Sequence, residues 1–247
     1  MLSSGACYAA FYGRRPPVEV PFLTRLARSA DLAGELRVLD LGCGTGRLLG
    51  PLAALGWHVV GMEPDAENLA EARRVAADTP GVEEVAGGGF GDLEAVDDFD
   101  MVVAVADPWW YLLTAGERAD ALQRVRRALR PRGVVVVEGP NFEWILDHYR
   151  QPQPNEAVVE GVRVRRIPRH DIDRAACTWT HTDTFSTPGS ADELTMVHRF
   201  AIVPLDEVRC ALDDAGFDPV ELYRDWAATA PGGPEGSRII AVGHRPG

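Results

Sequence analysis

The sequence predicts an α/β fold, in which a doubly wound, mostly parallel seven-stranded sheet carries an antiparallel β-meander as an insertion. Two observations lead to this prediction. Up to about residue 141, short apolar runs alternate with segments whose apolar residues recur at helical spacing, which is the pattern of right-handed βαβ units. Beyond that point, runs with a period of two follow one another without intervening helices, as in an antiparallel sheet.

The elements of the first part follow from apolar spacing and from residues that begin or end helices. Asp65 precedes a segment of helical periodicity and is a suitable N-cap, and Pro131 follows the end of the next predicted helix. The predicted helices cover residues 18–33, 47–56, 65–78 and 117–130, and the predicted strands cover residues 36–42, 57–63, 82–87, 99–106 and 133–140.

The second part is expected to depart from this alternation. Residues 141–150 are predicted as a short helix or a loop, and the Pro-rich residues 151–156 as a hinge. Gly216 is the expected C-cap of the last helix. The other predicted elements are strands at 157–167, 177–185 and 194–203, a helix at 205–217, and a closing hairpin at 218–226 and 237–246.

These elements divide the chain into two predicted units. Residues 1–150 and 204–247 form the α/β core, and residues 151–203 form the antiparallel insertion. We expect the insertion to cover a ligand site as a lid or to make a dimer contact. Its exposed strand edges could pair with a second copy, so the sequence is compatible with a homodimer.

Composition and charge disfavour several classes of partner. The chain of 247 residues has a net charge of −12, whereas proteins that bind nucleic acid usually present a basic face to the phosphates. No apolar run approaches the roughly 20 residues that span a bilayer, and the N-terminus lacks the order of a secretory signal. We therefore expect a cytoplasmic protein without a membrane partner. The 4 cysteines are scattered, so their spacing predicts no metal site.

The stretch VLDLGCGTGRLL, residues 38–49, is the most informative part of the sequence. A strand runs into Gly42, Gly44 and Gly46, whose missing side chains let a ligand touch the backbone. The following helix presents free N–H groups and the positive end of its dipole. Asp40 stands just before the turn, and Glu63 ends the next strand, where an acid typically accepts hydrogen bonds from ribose hydroxyls.

This stretch resembles motif I of the class I S-adenosylmethionine-dependent methyltransferases, which have a Rossmann-like fold. Its glycines run GxGxG after an acid, unlike the GxGxxG pattern of dinucleotide-binding proteins. WHVVGMEP, FDMVVAVADPWWYLLT and LRPRGVVVVEGPN resemble further motifs of that family. The resemblance spans residues 8–141, and residues 198–217 are similar to a late helix of many members that act on small molecules.

The resemblance implies how the cofactor would be held. The backbone of Gly42–Gly46, including Cys43, would pack on the methionine part and the ribose of S-adenosylmethionine. Asp40 would orient the turn or reach the methionine amine. Glu63, followed by Pro64, would hold both ribose hydroxyls.

Two further segments are implied in the same site. Ala106 and Asp107, after the fourth strand, would face the sulfonium. Tyr8, Tyr12 and Arg15 in CYAAFYGRR resemble a segment that folds over the cofactor. The alternative for this segment is a helix that packs on the sheet.

One stretch departs from the family pattern. Members commonly place an Asp after the third strand, where it accepts a hydrogen bond from the adenine amine. The sequence AGGGFGDLE has Gly89 at that position, Phe90 at the position that stacks on adenine, and Asp92 a few residues later. Either Asp92 or the backbone would then meet the adenine amine.

The need for a base depends on the acceptor. An amine reacts through its free lone pair, whereas a hydroxyl needs a base or must be unusually acidic. His170 and His181 in the insertion are the best candidates for an acceptor-facing base, and Asp107 lies at the methyl-transfer point. The alternative for each histidine is a hydrogen-bonded strand residue.

The loop after the fourth strand carries three adjacent aromatic residues, Trp109, Trp110 and Tyr111. Aromatic side chains supply large contact areas in ligand pockets, so some of them are expected to line an acceptor pocket. Asn141, Phe142 and Trp144, after the fifth strand, would lie on the same rim. Packing against the insertion is the alternative.

The predicted function is methyl transfer from S-adenosylmethionine, leaving S-adenosylhomocysteine, to a nitrogen or oxygen atom of a small-molecule acceptor. The insertion resembles the lid sheet of antibiotic-pathway enzymes, including amino-sugar N-methyltransferases, which favours an acceptor from natural product biosynthesis. The main alternative is an enzyme that binds the same cofactor but catalyses a non-methylating step such as cyclisation. A nicotinamide oxidoreductase and a catalytically silent partner subunit are further alternatives.

Overall fold

The computed structural model describes residues 3–12, 17–32, 34–233 and 235–247. Arg15, expected to cover the cofactor, lies outside the described residues. The helices are α1 (Ser4–Phe11), α2 (Glu19–Ser29), α3 (Leu49–Ala53), α4 (Ala66–Ala77), α5 (Ala115–Ala128), α6 (Phe142–His148) and α7 (Leu205–Asp214). The strands are β1 (Arg37–Leu41), β2 (His58–Glu63), β3 (Val82–Gly87), β4 (Phe99–Ala104), β5 (Leu129–Pro140), β6 (Asn155–Val159), β7 (Val162–Asp173), β8 (Thr178–Ser186), β9 (Glu193–Ala201), β10 (Val220–Tyr223) and β11 (Arg238–His244).

The main sheet has seven strands in the order β10-β11-β5-β4-β1-β2-β3. Strands β1 to β5 pair in parallel, and β11 runs antiparallel to both β5 and β10. The chain builds from β1 out to β3 and then continues on the other side of β1 through β4 and β5. This order confirms the predicted doubly wound fold. It also places a crevice at the carboxyl ends of β1 and β4, where such sheets bind ligands.

The antiparallel sheet contains four strands in the order β6-β7-β8-β9, one more than the sequence analysis predicted. The expected single strand at 157–167 turns back on itself, because Glu160 and Gly161 adopt left-handed backbone angles with φ of 48° and 82°. Two such residues in succession are typical of a tight hairpin turn. Strand β6 therefore begins at Asn155, inside the predicted hinge. The division into a core and an insertion at 151–203 stays a prediction.

Capping residues explain where several helices begin and end. Asp65 accepts hydrogen bonds from the N–H groups of Glu67 and Asn68 at 3.1 and 2.9 Å, which confirms the predicted N-cap of α4. At the end of α7, Ala215 is the C-cap, and Gly216 follows it with a φ of 86°. Gly216 is thus the residue after the C-cap and not the C-cap that was predicted. It has the left-handed conformation that glycine favours after a helix.

Helix α1 packs against the antiparallel sheet rather than on the main sheet. The Ser4 hydroxyl and the Gly5 N–H donate to Oε2 of Glu67 on α4 at 2.6 and 3.1 Å. Cys7, on the same helix, is fully buried. The residues that form a separate apolar cluster with Cys7 come from the antiparallel sheet: Val159, Val164 and Phe185. Helix α1 therefore connects the two sheets.

Gly139 on β5 leaves the space that the ring of Trp110 occupies. A Cβ atom at position 139 would lie 2.2 Å from carbon atoms of that fully buried ring. We expect Gly139→Ala to lower the free energy of unfolding by about 2–3 kcal/mol, because overpacking forces the ring or the strand to move. Urea unfolding would measure this difference.

Gly116→Ala is the matched control for that substitution. A Cβ atom at position 116 would meet no atom within 4 Å, and the residue lies in α5. Alanine also has the higher helix propensity, so unfolding should be unchanged or slightly harder. Equal stability of Gly139→Ala and wild type would show that Trp110 is not held tightly against β5.

Candidate active site

A cavity of about 610 Å³ lies between the carboxyl ends of β1, β4 and β5 and the inner face of the antiparallel sheet. We call it the site cavity. One half adjoins the turn at residues 42–46, which we call the glycine turn, and the other half adjoins β7, β8 and β9. Its wall in the first half includes Tyr8, Tyr12, Asp40, Gly42, Cys43, Gly44, Ala106 and Asp107. Its wall in the second half includes Tyr111, Phe142, His170, Trp179, His181, His198 and Phe200.

The glycine turn is held against the end of β2 by backbone hydrogen bonds. The N–H groups of Gly42 and Cys43 both donate to the carbonyl oxygen of Met62, at 2.8 and 3.1 Å. Gly42 has a φ of 80°, and a Cβ atom there would lie 2.7 Å from Cβ of Pro108. Glycine is therefore required for the turn and the loop after β4 to approach each other.

Glu63 is fixed beside this turn. Its Oε2 accepts a hydrogen bond from the N–H of Gly44 at 2.9 Å, and its Oε1 accepts one from the N–H of Asp65 at 2.9 Å. The side chain is buried, and burial raises the pKa of its carboxyl group. These two backbone contacts orient the carboxylate beside the glycine turn.

Asp40 lies deeper in the site cavity, near a buried ion pair that the sequence analysis did not predict. Burial raises the pKa of Asp40 to about 7, although the charge of Arg47 acts to lower it. Arg47 makes two hydrogen bonds, of 3.0 and 2.6 Å, to Glu19 of α2. Arg47 directly follows Gly46 in the stretch VLDLGCGTGRLL. Its position there is the one sequence signal that could have marked it as a site residue.

A second ion-pair network holds the loop after β4. Oε2 of Glu138 accepts a hydrogen bond from the N–H of Ala106 at 2.8 Å. Arg238 contacts Oε1 of Glu138 at 2.5 Å and Oδ1 of Asp107 at 2.6 Å. Ala106 and Asp107 both have left-handed backbone angles, with φ of 67° and 78°. Such angles cost about 1–3 kcal/mol each and often occur at functional sites.

The first half of the site cavity carries more acidic than basic groups. Two arginines are present, Arg47 and Arg238. The acidic groups that line it or adjoin it are Glu19, Asp40, Glu63, Asp107 and Glu138. A wall with this excess of carboxylates favours a ligand that carries positive charge.

The residues of the altered third motif contribute little to this wall. Phe90 is buried and packs in the core with Met62 and Leu93, whereas the prediction placed it against adenine. Asp92 is exposed, and its Oδ2 accepts a hydrogen bond from the N–H of Gly89 at 3.0 Å. The Asp92 carboxylate thus stabilises its own turn, and an adenine contact by Gly89, Phe90 or Asp92 stays a prediction.

Three histidines stand side by side across the antiparallel sheet. His170 on β7 is paired with His181 on β8, and His181 is paired with His198 on β9. Their ring centroids are 4.3 and 6.1 Å apart, and all three rings face the site cavity. We call this set the histidine row. It includes both predicted bases and adds His198, which sequence reasoning missed because the strand register was unknown.

A buried carboxylate fixes the middle of the row. Asp183 is fully buried, and its Oδ1 contacts Arg166 at 2.8 Å and Nε2 of His181 at 3.0 Å. Its Oδ2 accepts a short hydrogen bond from the hydroxyl of Tyr12. Burial acts to raise the pKa of Asp183, but these hydrogen bonds and charges lower it to about 2. Asp183 is therefore ionised at neutral pH and fully engaged.

The two outer histidines have nitrogen atoms without a partner. Nδ1 and Nε2 of His170 and Nε2 of His198 are buried, and none of these three atoms makes a hydrogen bond to a described residue. Burial, followed by the neighbouring His181, lowers the pKa of His170 to about 4 and also lowers that of His198. Both imidazoles are therefore neutral at pH 7 and able to bind a ligand through free nitrogen atoms.

The predicted acceptor residues separate in the structure. Trp109 and Trp110 are buried in the core, at 2% and 0% exposure, because Gly139 leaves room for the second ring. Some of the three aromatic residues were expected to line an acceptor pocket; of them, Tyr111 lines the site cavity, and its contact with an acceptor stays a prediction. Asn141 is also buried; its side chain caps α6 and donates to the carbonyl of Gly236 at 2.9 Å. It therefore positions α6 and does not present its amide to a ligand.

Trp144 does not line the site cavity but an adjoining hollow. Its ring stacks on His148 with a centroid distance of 4.3 Å and an interplanar angle of 10°. Both side chains line a second hollow that shares His170 and Trp179 with the site cavity. Phe142, which the sequence placed beside the acceptor, and Trp179, which it did not single out, provide the ring walls at that end.

The described ranges contain neither a cluster of metal ligands nor a membrane-spanning helix. No cluster of three or more His, Cys, Asp or Glu side chains there could hold a metal ion. No helix in those ranges is long and apolar enough to cross a membrane.

Comparison with known proteins relates this geometry to a family. Residues 38–133 match the family model described as a methyltransferase domain. A ubiquinone biosynthesis O-methyltransferase of Bradyrhizobium diazoefficiens is 32% identical over 120 residues, which are 49% of this chain and 46% of that protein. The chain thus spans about half the length of the ubiquinone biosynthesis O-methyltransferases that it matches.

Solved structures match over nearly the whole chain. An S-adenosylmethionine-dependent methyltransferase from Clostridium acetobutylicum has a TM-score of 0.80 at 14% identity, covering 98% of this chain and 97% of that one. A sugar N-methyltransferase from Streptoalloteichus sp. has a TM-score of 0.76 at 23% identity, covering 96% of this chain and 90% of that one. At these identities the likeness establishes the fold, including the antiparallel sheet that both comparisons cover.

Proposed function

We propose that this chain, whose residues 38–133 match a methyltransferase domain model and whose fold is that of class I, Rossmann-like S-adenosylmethionine-dependent methyltransferases, methylates a nitrogen or oxygen atom of a small organic molecule. The observation that carries this proposal is the shared site cavity. The glycine turn opens at one end of it and the histidine row lies at the other. One cavity can therefore hold the methyl donor and the acceptor in contact.

The residues of the first half fit the cofactor. When bound, S-adenosylmethionine supplies a methyl group that its positively charged sulfur has already activated. Glu63 is oriented to accept hydrogen bonds from ribose hydroxyls, since two backbone N–H groups hold its carboxylate. The acidic excess around Asp40, Asp107 and Glu138 would stabilise the positive charges of the ligand. Ala106 and Asp107 would then lie nearest to the sulfonium.

Alignment and exclusion of water are the main tasks that remain for the protein. Tyr8 on α1 and Tyr12, which caps the end of α1, would cover the cofactor, since both line the site cavity and Tyr12 is hydrogen-bonded to Asp183 in the antiparallel sheet. Tyr111, Phe142 and Trp179 would hold the acceptor through their rings. His170 and His181 would face it from the antiparallel sheet.

The class of acceptor is inferred from the pocket and from the relatives. A cavity of about 610 Å³ shared with the cofactor leaves room for a small molecule. One relative is named for O-methylation in ubiquinone biosynthesis and another for N-methylation of a sugar. These names support a small-molecule acceptor, and a role in natural product biosynthesis stays a prediction.

The test begins with calorimetric titration of the protein with S-adenosylhomocysteine, for which we expect micromolar binding. Incubation with a labelled methyl donor and candidate amines and alcohols should then give a product heavier by one methylene unit. Binding followed by a product of unchanged mass would favour the non-methylating alternative. Absence of binding would contradict the proposed function itself.

A further inference from the structure

His198 stands at the cofactor end of the histidine row. Its ring centroid lies 6.4 Å from that of Tyr8 and 5.9 Å from that of Tyr111. Tyr8 approaches the glycine turn, because a Cβ atom on Gly44 would lie 3.7 Å from its ring. Tyr111 ends the short turn that begins after Asp107. His198 is thus placed between the two segments that flank the methyl-transfer point.

His170 stands at the opposite end of the row. Its ring lies 4.9 Å from that of Trp179 and 6.0 Å from that of Tyr149, and these residues belong to the side of the site cavity near α6. Nε2 of His181, in the middle, is occupied by Asp183 and Arg166 at 3.0 Å each. Of the three rings, His198 therefore combines a position near the cofactor with a free nitrogen.

Tyr111 fixes the orientation of the His198 ring. Its hydroxyl and Nδ1 of His198 are 2.6 Å apart, while Nε2 is buried and makes no hydrogen bond to any described residue. In a neutral imidazole, one nitrogen carries the proton and the other is an acceptor. If Nδ1 donates its proton to the Tyr111 oxygen, Nε2 presents a lone pair to the site cavity.

The charges around the row favour a neutral acceptor over a cationic amine. Asp183 is saturated by Arg166, His181 and Tyr12, and Asp107 is paired with Arg238. Among the residues that the structure describes, these two carboxylates beside the row are thus already paired and do not neutralise an ammonium group. A neutral hydroxyl suits this surface, and a hydroxyl must lose its proton to react.

We propose that His198 is the general base of the transfer and that the acceptor atom is a hydroxyl oxygen. The oxygen forms a bond to the methyl carbon of S-adenosylmethionine while the carbon–sulfur bond breaks, and that electron pair stays on sulfur. The hydroxyl proton moves to Nε2 of His198. Tyr111 acts as a positioning residue through Nδ1. This inference rests on the proposed methyltransferase function.

The first test needs no acceptor. Nuclear magnetic resonance of protein labelled with ¹⁵N-histidine, saturated with S-adenosylhomocysteine, reports the tautomer and the protonation of each ring. We expect His198 to be neutral at pH 7 with its proton on Nδ1, and Tyr111→Phe to lose this preference. His198→Gln identifies the signal, and His58→Gln, at the distant start of β2, is the control. A His198 proton on Nε2, or an imidazolium at pH 7, would overturn the proposal.

The protonation of His198 in this measurement also depends on the charged and titratable groups near its ring. These groups come from α1, the turn after β4, and strands β7 and β8: Tyr8, Asp107, Tyr111, Arg166, His181 and Asp183. His198→Gln should bind S-adenosylhomocysteine with the affinity of the wild type. If the wild-type protein itself does not bind S-adenosylhomocysteine, the proposed function fails, and that result says nothing about His198.

The second test uses 2-aminophenol, which offers a hydroxyl and an amine on one ring. We expect the labelled methyl group on oxygen, and a fall in kcat of about 10²- to 10⁴-fold in His198→Gln with little change in KM. Tyr111→Phe should shift the pH profile of kcat. Methylation on nitrogen that His198→Gln leaves unchanged would contradict the proposal. If 2-aminophenol is not methylated, the tautomer measurement alone decides.

Discussion

Glu63→Ala is expected to weaken the binding of S-adenosylhomocysteine by about 100-fold. The carboxylate is held by the N–H groups of Gly44 and Asp65 at 2.9 Å each, and under the proposed function it accepts hydrogen bonds from the ribose. Hydrogen bonds to a charged group contribute about 1.5–3 kcal/mol each, and 1.4 kcal/mol corresponds to a factor of ten in affinity. Calorimetric titration would measure the change.

Glu63→Gln separates the charge from the shape of this side chain. Its amide keeps one acceptor oxygen, so affinity should fall by about tenfold. Glu71→Gln is the matched control, because Glu71 lies on the surface of α4 and pairs with Arg74 at 2.5 Å. Wild-type affinity in Glu63→Ala, with an unchanged melting temperature, would show that another group holds the ribose.

Asp183→Asn is expected to lower the free energy of unfolding at pH 7 by about 3–5 kcal/mol. The substitution leaves the guanidinium of Arg166, whose side chain is 12% exposed, without a counter-ion. Removing one partner of a buried ion pair costs this much because the other charge stays out of water. Tyr12 and His181 also lose part of their shared acceptor. Urea unfolding of both proteins would give the difference.

The same carboxylate predicts a pH dependence. The pKa of Asp183 in the folded protein is about 2, below the ordinary value of about 3.9 for an unfolded chain. A lowered pKa stabilises the fold fully above the ordinary value, and this stabilisation is lost as the pH falls towards 2. The stability difference between wild type and Asp183→Asn should therefore shrink between about pH 4 and pH 2.

Asp171→Asn provides the control for both measurements. Asp171 lies on β7 with an exposed side chain, so its replacement should leave stability at pH 7 within about 0.5 kcal/mol of wild type. An Asp183→Asn protein as stable as wild type at pH 7 would show that the Arg166 charge is satisfied by water instead of by the carboxylate.

Local patterns were sufficient for the main sheet. Strands buried on both faces read as apolar runs such as Val134–Val137, and a helix follows each of β1, β2 and β4 near the predicted place. The glycine turn was also predictable, because a strand, a turn and a helix within residues 38–49 form one local unit. The start of α4 was predictable as well, because the side chain of Asp65 caps the helix that directly follows it.

The acceptor side could not be predicted in the same way. A left-handed pair at Glu160 and Gly161 starts an extra hairpin, and a change of one residue in register moves every side chain to the other face of a sheet. Only the folded register brings His170, His181 and His198 together. Nothing in the spacing of these residues along the chain predicts their contact.

Buried aromatic residues show the same limit. The adjacent Trp109 and Trp110 looked like pocket residues, yet both pack in the core because Gly139, distant in sequence, leaves the space. By itself, the sequence determined the doubly wound fold and the cofactor turn, whose contacts are local. Tertiary structure alone decided which histidines, aromatic rings and ion pairs line the site cavity, because those contacts join strands and loops that are far apart along the chain.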